Sequence, residues 1–132
     1  MASYQFKIQL QNISNPPVWR RLVVPGHFTF YLFHQVIQEA FGWEDYHLFQ
    51  FSPGSFGTSP VIADPELVED EDEIVNCYQI KIPDIFKSEG QTFSYIYDFG
   101  DDWHHKITLE KISDGSLLHA DCLAGKGACL PA

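Results

Sequence analysis

One stretch of the chain, residues 95–107, constrains the fold more than any other. Apolar and polar residues alternate on both sides of a short acidic turn. A period of two residues places successive side chains on opposite faces of a strand, so this pattern predicts a β-hairpin. The turn carries Asp98, Asp101 and Asp102, and titratable groups this dense mark it as a candidate site.

The remaining patterns predict further strands and one amphipathic helix. Alternating apolar residues indicate strands at the start of the chain and in three later segments. Apolar residues recur at helical spacing from Thr29 to Phe41, where Thr29 can cap the helix and Gly42 can end it. We therefore predict an α+β fold with a largely antiparallel or mixed β-sheet of about five to six strands, on which the main helix, Thr29 to Phe41, packs.

Length and composition predict a single domain over residues 1–132. The chain is 45% hydrophobic and 15% aromatic, which supplies a core that needs neither disulfides nor a metal. The formal net charge is −10, and seven acidic residues without a basic one lie between Asp64 and Glu73. We interpret residues 53–76 as a flexible acidic loop and residues 115–132 as loop-like.

Composition also disfavours some classes of partner. The eight basic residues are scattered, and the adjacent pair Arg20 and Arg21 points to opposite faces of a strand, which argues against direct nucleic-acid binding. No apolar run is long enough to span a membrane, and the expected location is cytoplasmic. There we expect Cys77, Cys122 and Cys129 to be thiols, because their spacing does not suit structural zinc.

The acidic turn is open to two interpretations. Its three aspartates offer hard oxygen ligands for a divalent ion, and Asp102 and His104 can face the same side of the strand. Aspartate is also favoured in turns because it hydrogen-bonds nearby amides, and this structural interpretation outweighs the metal site. We therefore predict no bound metal, no cofactor and no catalytic residue.

Tryptophans near the ends of predicted elements suggest a recognition surface. Tryptophan more often packs in a core, but large flat side chains also give much contact area at low entropic cost. Together with the acidic turn, they define the candidate binding residues. These are Trp19, Arg20, Trp43, His47, Asp98, Asp101, Asp102 and His104.

Four motifs in order carry a resemblance to a known family. They are Pro-Val-Trp-Arg-Arg at 17–21, Phe-Gly-Trp with His-Leu at 41–48, Tyr-Asp-Phe-Gly-Asp-Asp-Trp-His at 97–104, and Cys-Leu-Ala-Gly-Lys-Gly-Ala-Cys at 122–129. The chain resembles the plasmid pRiA4b ORF-3-like family, which includes passenger proteins of insertion sequences. This resemblance implies an α+β fold, a bacterial or archaeal source and frequent linkage to mobile elements, with no established activity.

The chain departs from that family at its end. Members commonly continue past the second cysteine with Pro-Pro-Glu-Asp and a Gly-Gly pair, whereas this chain reads Leu-Pro-Ala at 130–132. We therefore expect a shortened or truncated C-terminus, which puts in doubt any function that needs the acidic tail.

Three functional hypotheses remain. The first is a non-enzymatic binding or accessory module of a plasmid or other mobile element, with an unknown protein or small molecule as partner. The second is a divalent-metal-dependent enzyme, hydrolase-like, with Asp98, Asp101, Asp102 and His104 around the ion. The third gives the motifs a purely structural role in maintaining the hairpins.

Overall fold

The part of the chain that the computed structural model describes forms one mixed sheet of eight strands with two short helices. The described residues are 2–14, 17–45, 47–54, 60–67, 74–98, 103–115 and 117–127. In chain order the elements are β1 (Ala2–Ser14), β2 (Pro17–Pro25), α1 (Phe30–Phe41), β3 (Phe49–Ser52), β4 (Val61–Ala63), β5 (Ile74–Asn76), α2 (Ile82–Ile85), β6 (Thr92–Tyr97), β7 (Trp103–Asp114) and β8 (Asp121–Lys126).

The strands lie in the order β5-β4-β3-β6-β7-β1-β2-β8. Neighbours pair antiparallel except β4 and β5, which are parallel. The predicted hairpin is confirmed as β6 and β7, with Tyr97 directly opposite Trp103. The strands β1 and β2 form a second hairpin, and β1 also pairs with β7, which joins the two hairpins in one sheet.

The predicted fold class is wrong in its balance of elements. Across the described residues the protein is mostly β, with eight strands rather than five to six, and two small helices rather than one main helix. Two of the missed strands, β4 and β5, lie inside residues 53–76, and a third, β8, lies inside residues 115–132. β4 and β5 have three residues each, which is too short for a periodic pattern to be recognised. Residues 55–59 and 68–73 of the predicted loop lie outside the described part of the chain.

Helix α1 begins and ends where its sequence predicts. The Thr29 side chain accepts a hydrogen bond from the Leu32 N–H at 3.2 Å, which satisfies one of the unpaired amides of the first turn. Gly42 ends the helix with φ of 76°, a left-handed conformation that costs glycine little.

The core lies between the sheet and the two helices. Phe6 of β1 packs against Phe33 of α1 and Phe86 beside α2, with ring centroids 4.7 and 4.8 Å away. Phe30 and Phe51 extend this aromatic layer, their centroids 5.0 Å apart. All five side chains are almost fully buried, so they supply much of the hydrophobic stabilisation of the fold.

The opposite face of β7, β1, β2 and β8 carries mainly polar side chains. Alternation along each strand, together with the register between strands, brings these residues to the same side. Each of them is partly or fully exposed. We call this surface the open face, and it is defined by Lys7, Trp19, Arg21, His104, Lys106, Glu110, Lys111, Asp121 and Lys126.

Candidate functional site

A closed network of polar side chains lies between α1, β6 and the segment that follows Gly42. His34 Nδ1 is 2.7 Å from the Tyr95 hydroxyl, and His34 Nε2 is 2.7 Å from Asp45 Oδ1. The Gln38 amide donates to the Tyr95 hydroxyl at 2.9 Å, while its carbonyl oxygen accepts from the Asp45 N–H at 2.9 Å. Each of the four residues therefore bonds two others of the network.

The bonding pattern determines the direction of each hydrogen bond in this network. Asp45 as a carboxylate can only accept, so His34 carries its proton on Nε2. Burial lowers the pKa of His34, and the nearby Asp45 carboxylate opposes this effect only in part, so the ring is neutral near pH 7. His34 Nδ1 must then accept, which makes the Tyr95 hydroxyl its donor.

The order hydroxyl, imidazole, carboxylate is also the order of a nucleophile activated by a base. Here the hydroxyl cannot meet a substrate, because Tyr95 and His34 are both fully buried. Burial also raises the pKa of Tyr95 well above its ordinary value. The network therefore connects α1 to the sheet and has no catalytic geometry.

Sequence reasoning missed this network. The apolar stripe that predicts α1 includes neither His34 nor Gln38, yet both side chains are buried, with Gln38 only 3% exposed. The available signal was their spacing. His34 and Gln38 lie one helical turn apart, next to the apolar stripe, and two such polar residues on one side of a helix can pair with a buried partner.

Three of the candidate residues meet around Tyr97 at one end of the sheet. The Trp43 ring stacks on Tyr97 with centroids 5.0 Å apart and is only 8% exposed. His47 Nε2 lies 3.6 Å from Asp98 Oδ2, and the His47 ring packs edge-on against Tyr97. Asp98 has φ of 61° and donates its N–H to the Leu48 carbonyl at 2.8 Å. This cluster serves packing and turn geometry, with His47 as its exposed part.

The two adjacent histidines of β7 point to opposite faces, as the strand pattern predicts. His104 is half-buried on the open face, whereas His105 is fully buried among Phe41, Trp43 and Tyr95. Burial lowers the pKa of His105 to about 3, although its Nδ1–H donates to the Tyr95 carbonyl at 3.2 Å. Its Nε2 has no hydrogen-bond partner among the described residues. His105 is therefore a neutral core residue.

The candidate residue Arg20 is bound to the protein's own backbone. Its guanidinium donates to the carbonyls of Ala40, Trp19, Lys126 and Gly127 at 2.8 to 3.1 Å. These bonds connect the end of α1 to β2 and β8. They occupy the guanidinium of Arg20, which is therefore not free to bind a partner.

Replacing Arg20 by alanine should therefore destabilise the fold. We expect a loss of about 2 kcal/mol in the free energy of unfolding, because several carbonyls lose a charged donor. Arg21→Ala is the matched control. The ion pair of Arg21 with Glu110 is partly exposed, and ion pairs of that kind contribute less than about 1 kcal/mol. Urea unfolding measures both losses. Equal losses would show that the hydrogen bonds of Arg20 do not stabilise the fold more than the ion pair of Arg21 does.

The neighbouring Arg21 belongs to the open face and is held in one orientation. Its Nε and Nη2 donate to the two carboxylate oxygens of Glu110 at 2.7 and 3.0 Å. The hydrogen bond from Arg21 lowers the pKa of Glu110 despite partial burial. The guanidinium also lies 5.1 Å from the centre of the Trp19 ring, and the Lys7 ammonium lies at the same distance. A tryptophan contacted by two cations thus lies in the open face.

The open face collects five of the eight basic residues of the chain. Lys7 comes from β1, Arg21 from β2, Lys106 and Lys111 from β7, and Lys126 from β8. They are far apart in sequence, so the sequence showed no basic cluster. Antiparallel pairing of β7, β1, β2 and β8 brings them together on a protein whose net charge is −10.

The metal hypothesis remains a prediction. Across the part of the chain that the structure describes, no group of three His, Cys, Asp or Glu side chains is placed to hold an ion. Asp101, Asp102 and Cys129 lie outside that part.

Cys77 is buried and Cys122 is exposed, and both are free thiols. Burial raises the pKa of Cys77 to about 12. None of the described helices is long and apolar enough to cross a membrane.

Comparison with known proteins identifies the family. The model of plasmid pRiA4b ORF-3-like proteins matches residues 2–132, nearly the whole chain. The chain belongs to this family. The match confirms the resemblance seen in its four motifs.

Two relatives extend the comparison. The uncharacterized protein y4hQ of Sinorhizobium fredii is 30% identical over an alignment of 135 residues. The alignment covers 96% of this chain and 63% of that protein. The chain therefore spans less than two thirds of the length of this curated relative. The crystal structure of MM3350 from Methanosarcina mazei Go1, a protein of unknown function, is 35% identical with a TM-score of 0.82. That match covers 98% of this chain and 72% of the other.

Proposed function

We propose that this protein is a non-enzymatic binding module that holds an acidic segment of another protein on its open face. The observation that carries the proposal is the concentration of five basic side chains on the same exposed sheet face as Trp19, with Lys7 and Arg21 each 5.1 Å from its ring, in a protein whose net charge is −10. Such a face attracts carboxylates, and tryptophan supplies the contact area that short peptides need for affinity.

The arrangement of Trp19 and its neighbours favours binding without a large ordering cost. Arg21 is already oriented by two hydrogen bonds to Glu110, and Lys7 is already placed near the Trp19 ring. Side chains that are ordered before binding lose less entropy when a partner arrives. The surface is therefore prepared for a ligand that bonds several cations at once.

A short acidic peptide fits the electrostatics better than a nucleic acid. Nucleic-acid binding depends on many phosphate contacts and on release of counterions. Here one of the five cations is already paired with Glu110, and the net charge of −10 repels a long polyanion that extends past the face. A peptide of a few residues can end within the basic area and so avoid that repulsion.

The resemblance to the plasmid pRiA4b ORF-3-like family implies frequent linkage to mobile elements. That linkage supports an accessory role, in which the module recruits an acidic segment of a plasmid or host protein. Free thiols at Cys77 and Cys122 support action in the reducing cytoplasm.

A labelled acidic peptide tests the proposal. We expect an oligoglutamate peptide of about five residues to bind in low salt, and the Lys7→Glu/Lys106→Glu variant to bind it about tenfold more weakly or worse. The matched control is Lys81→Glu/Lys87→Glu, which reverses the same two charges outside the open face. It should bind within about twofold of the wild type. Fluorescence anisotropy measures all three affinities.

Two results would overturn the proposal. One is equal weakening in both charge-reversal variants, which would show that only net charge matters. The other is tighter binding of a single-stranded or duplex oligonucleotide than of the peptide at the same salt concentration, which would make nucleic acid the partner.

A further inference from the structure

Strand β8 forms one end of the sheet. Within the described residues β8 pairs with β2 alone, and most of its side chains are exposed. An edge strand presents a row of backbone N–H and C=O groups that can pair with a further strand. Leu123, near its middle, is 51% exposed, so this edge also offers an apolar contact.

The sequence of β8 is complementary to itself in the antiparallel direction. The strand begins with Asp121 and ends with Lys126. If two copies pair about a two-fold axis between Leu123 and Ala124, Asp121 lies opposite the partner subunit's Lys126, and Lys126 lies opposite the partner subunit's Asp121. Opposite charges directly across an antiparallel pair stabilise it.

This pairing also requires both charged residues to lie on the same face of the sheet. Asp121 and Lys126 are five positions apart, which in a regular strand would place them on opposite faces. The register with β2 shifts between Arg21 and Leu22, so that Asp121 lies opposite Val23 and Lys126 opposite Trp19. Val23 and Trp19 are four positions apart on β2 and share one face. The bulge in β8 therefore puts Asp121 and Lys126 on the same side, as a two-fold pair needs.

We propose that a second copy of this chain docks on β8 and extends the sheet across a two-fold axis. The occupant is the same chain because the charges at the two ends of β8, their common face and the exposed Leu123 are all complementary to their own copy. The proposal does not depend on the acidic partner. It uses the edge of the sheet, whereas the partner uses the face, and Lys126 belongs to both. Leu123 belongs only to the edge, and Lys7 and Lys106 belong only to the face, so variants at these residues test the two proposals separately. Dimerisation would also place two open faces side by side.

Charge reversal at the ends of β8 tests this dimer. We expect the wild-type protein to show a concentration-dependent monomer–dimer equilibrium in sedimentation velocity. Asp121→Lys alone and Lys126→Asp alone each place like charges at both ends of the interface, so each should weaken dimerisation at least about tenfold. A mixture of the two variants restores opposite charges at both ends. It should form a heterodimer with near wild-type affinity, detected by labelling one of the chains.

A third variant guards against unfolding by the charge reversals. Leu123→Arg places two cations beside the two-fold axis, and because Leu123 is exposed, the fold should be retained. We expect it to be monomeric with an unchanged circular dichroism spectrum. A wild-type protein that stays monomeric at all concentrations would overturn the proposal. So would single reversals that dimerise like the wild type, or a mixture of variants that does not associate.

Discussion

Lowering the pH from 7 to 5 should destabilise this protein by about 2 kcal/mol through His105 alone. The side chain is fully buried, and burial lowers its pKa to about 3. In the unfolded chain a histidine titrates near pH 6.5. Below that pH the unfolded state binds a proton that the folded state does not bind, so the free energy of unfolding falls as the pH falls. The loss continues until the pH approaches 3.

The measurement is the free energy of unfolding in urea at several pH values between 7 and 5. Most carboxylates remain ionised in this window, so the slope reports mainly on histidines. His105→Leu removes the titrating group and should flatten the slope, whatever its effect on stability at pH 7. A smaller slope of the same sign should persist, because burial also lowers the pKa of His34.

The control for this prediction is the adjacent histidine. His104→Gln removes a histidine on the open face and leaves His105 in place, so the steep pH dependence should remain. A His105→Leu variant with the wild-type slope would show that the buried imidazole does not control acid stability. In that case the acid sensitivity would have to come from another group.

Replacing Tyr95 by phenylalanine should destabilise the protein by about 3 kcal/mol. The change removes one hydroxyl and almost no volume, so cavity formation contributes little. It leaves His34 Nδ1 without its donor and the Gln38 amide without its acceptor, and both of these side chains are buried. Unsatisfied buried polar groups of this kind cost about 1 to 3 kcal/mol each.

The matched control is the same substitution at Tyr31. Its hydroxyl accepts a hydrogen bond from the Gln35 side chain at 3.1 Å in an exposed setting, where water can replace the lost partner. Tyr31→Phe should therefore change the free energy of unfolding by less than about 0.5 kcal/mol. Similar losses in the two variants, measured by urea or thermal unfolding, would show that the Tyr95 network does not stabilise the fold.

A double-mutant cycle can separate the network from the tyrosine itself. When Tyr95→Phe is combined with His34→Leu, the second change should cost much less than it does alone, because its hydrogen-bond partner is already gone. Additive losses would instead indicate that the two side chains stabilise the protein independently.

Local patterns predicted the elements that are long enough to show a period. The hairpin of β6 and β7 followed from alternation, and α1 followed from its apolar stripe, the Thr29 cap and Gly42. The strands β4 and β5 were missed because three residues cannot establish a period. In β8 Gly125 and the bulge obscured the alternation. Pairing with neighbouring strands stabilises β4, β5 and β8, and a local sequence pattern does not reveal that pairing.

The candidate site was predicted only in part for the same reason. The motifs around Trp43, His47 and Asp98 do meet, around Tyr97, but packing explains most of their contacts. Arg20 and Arg21 were correctly assigned to opposite faces, although the sequence could not tell that Arg20 bonds backbone carbonyls.

By itself the sequence determined the family, the central hairpin and the extent of α1, because each depends on residues that are close along the chain. Only the tertiary structure decided the number of strands, the burial of the His34 network and the collection of five cations on the open face. Those features depend on which strands become neighbours and in which register. That choice is made by non-local pairing and by burial of the aromatic core, which a short stretch of sequence does not encode.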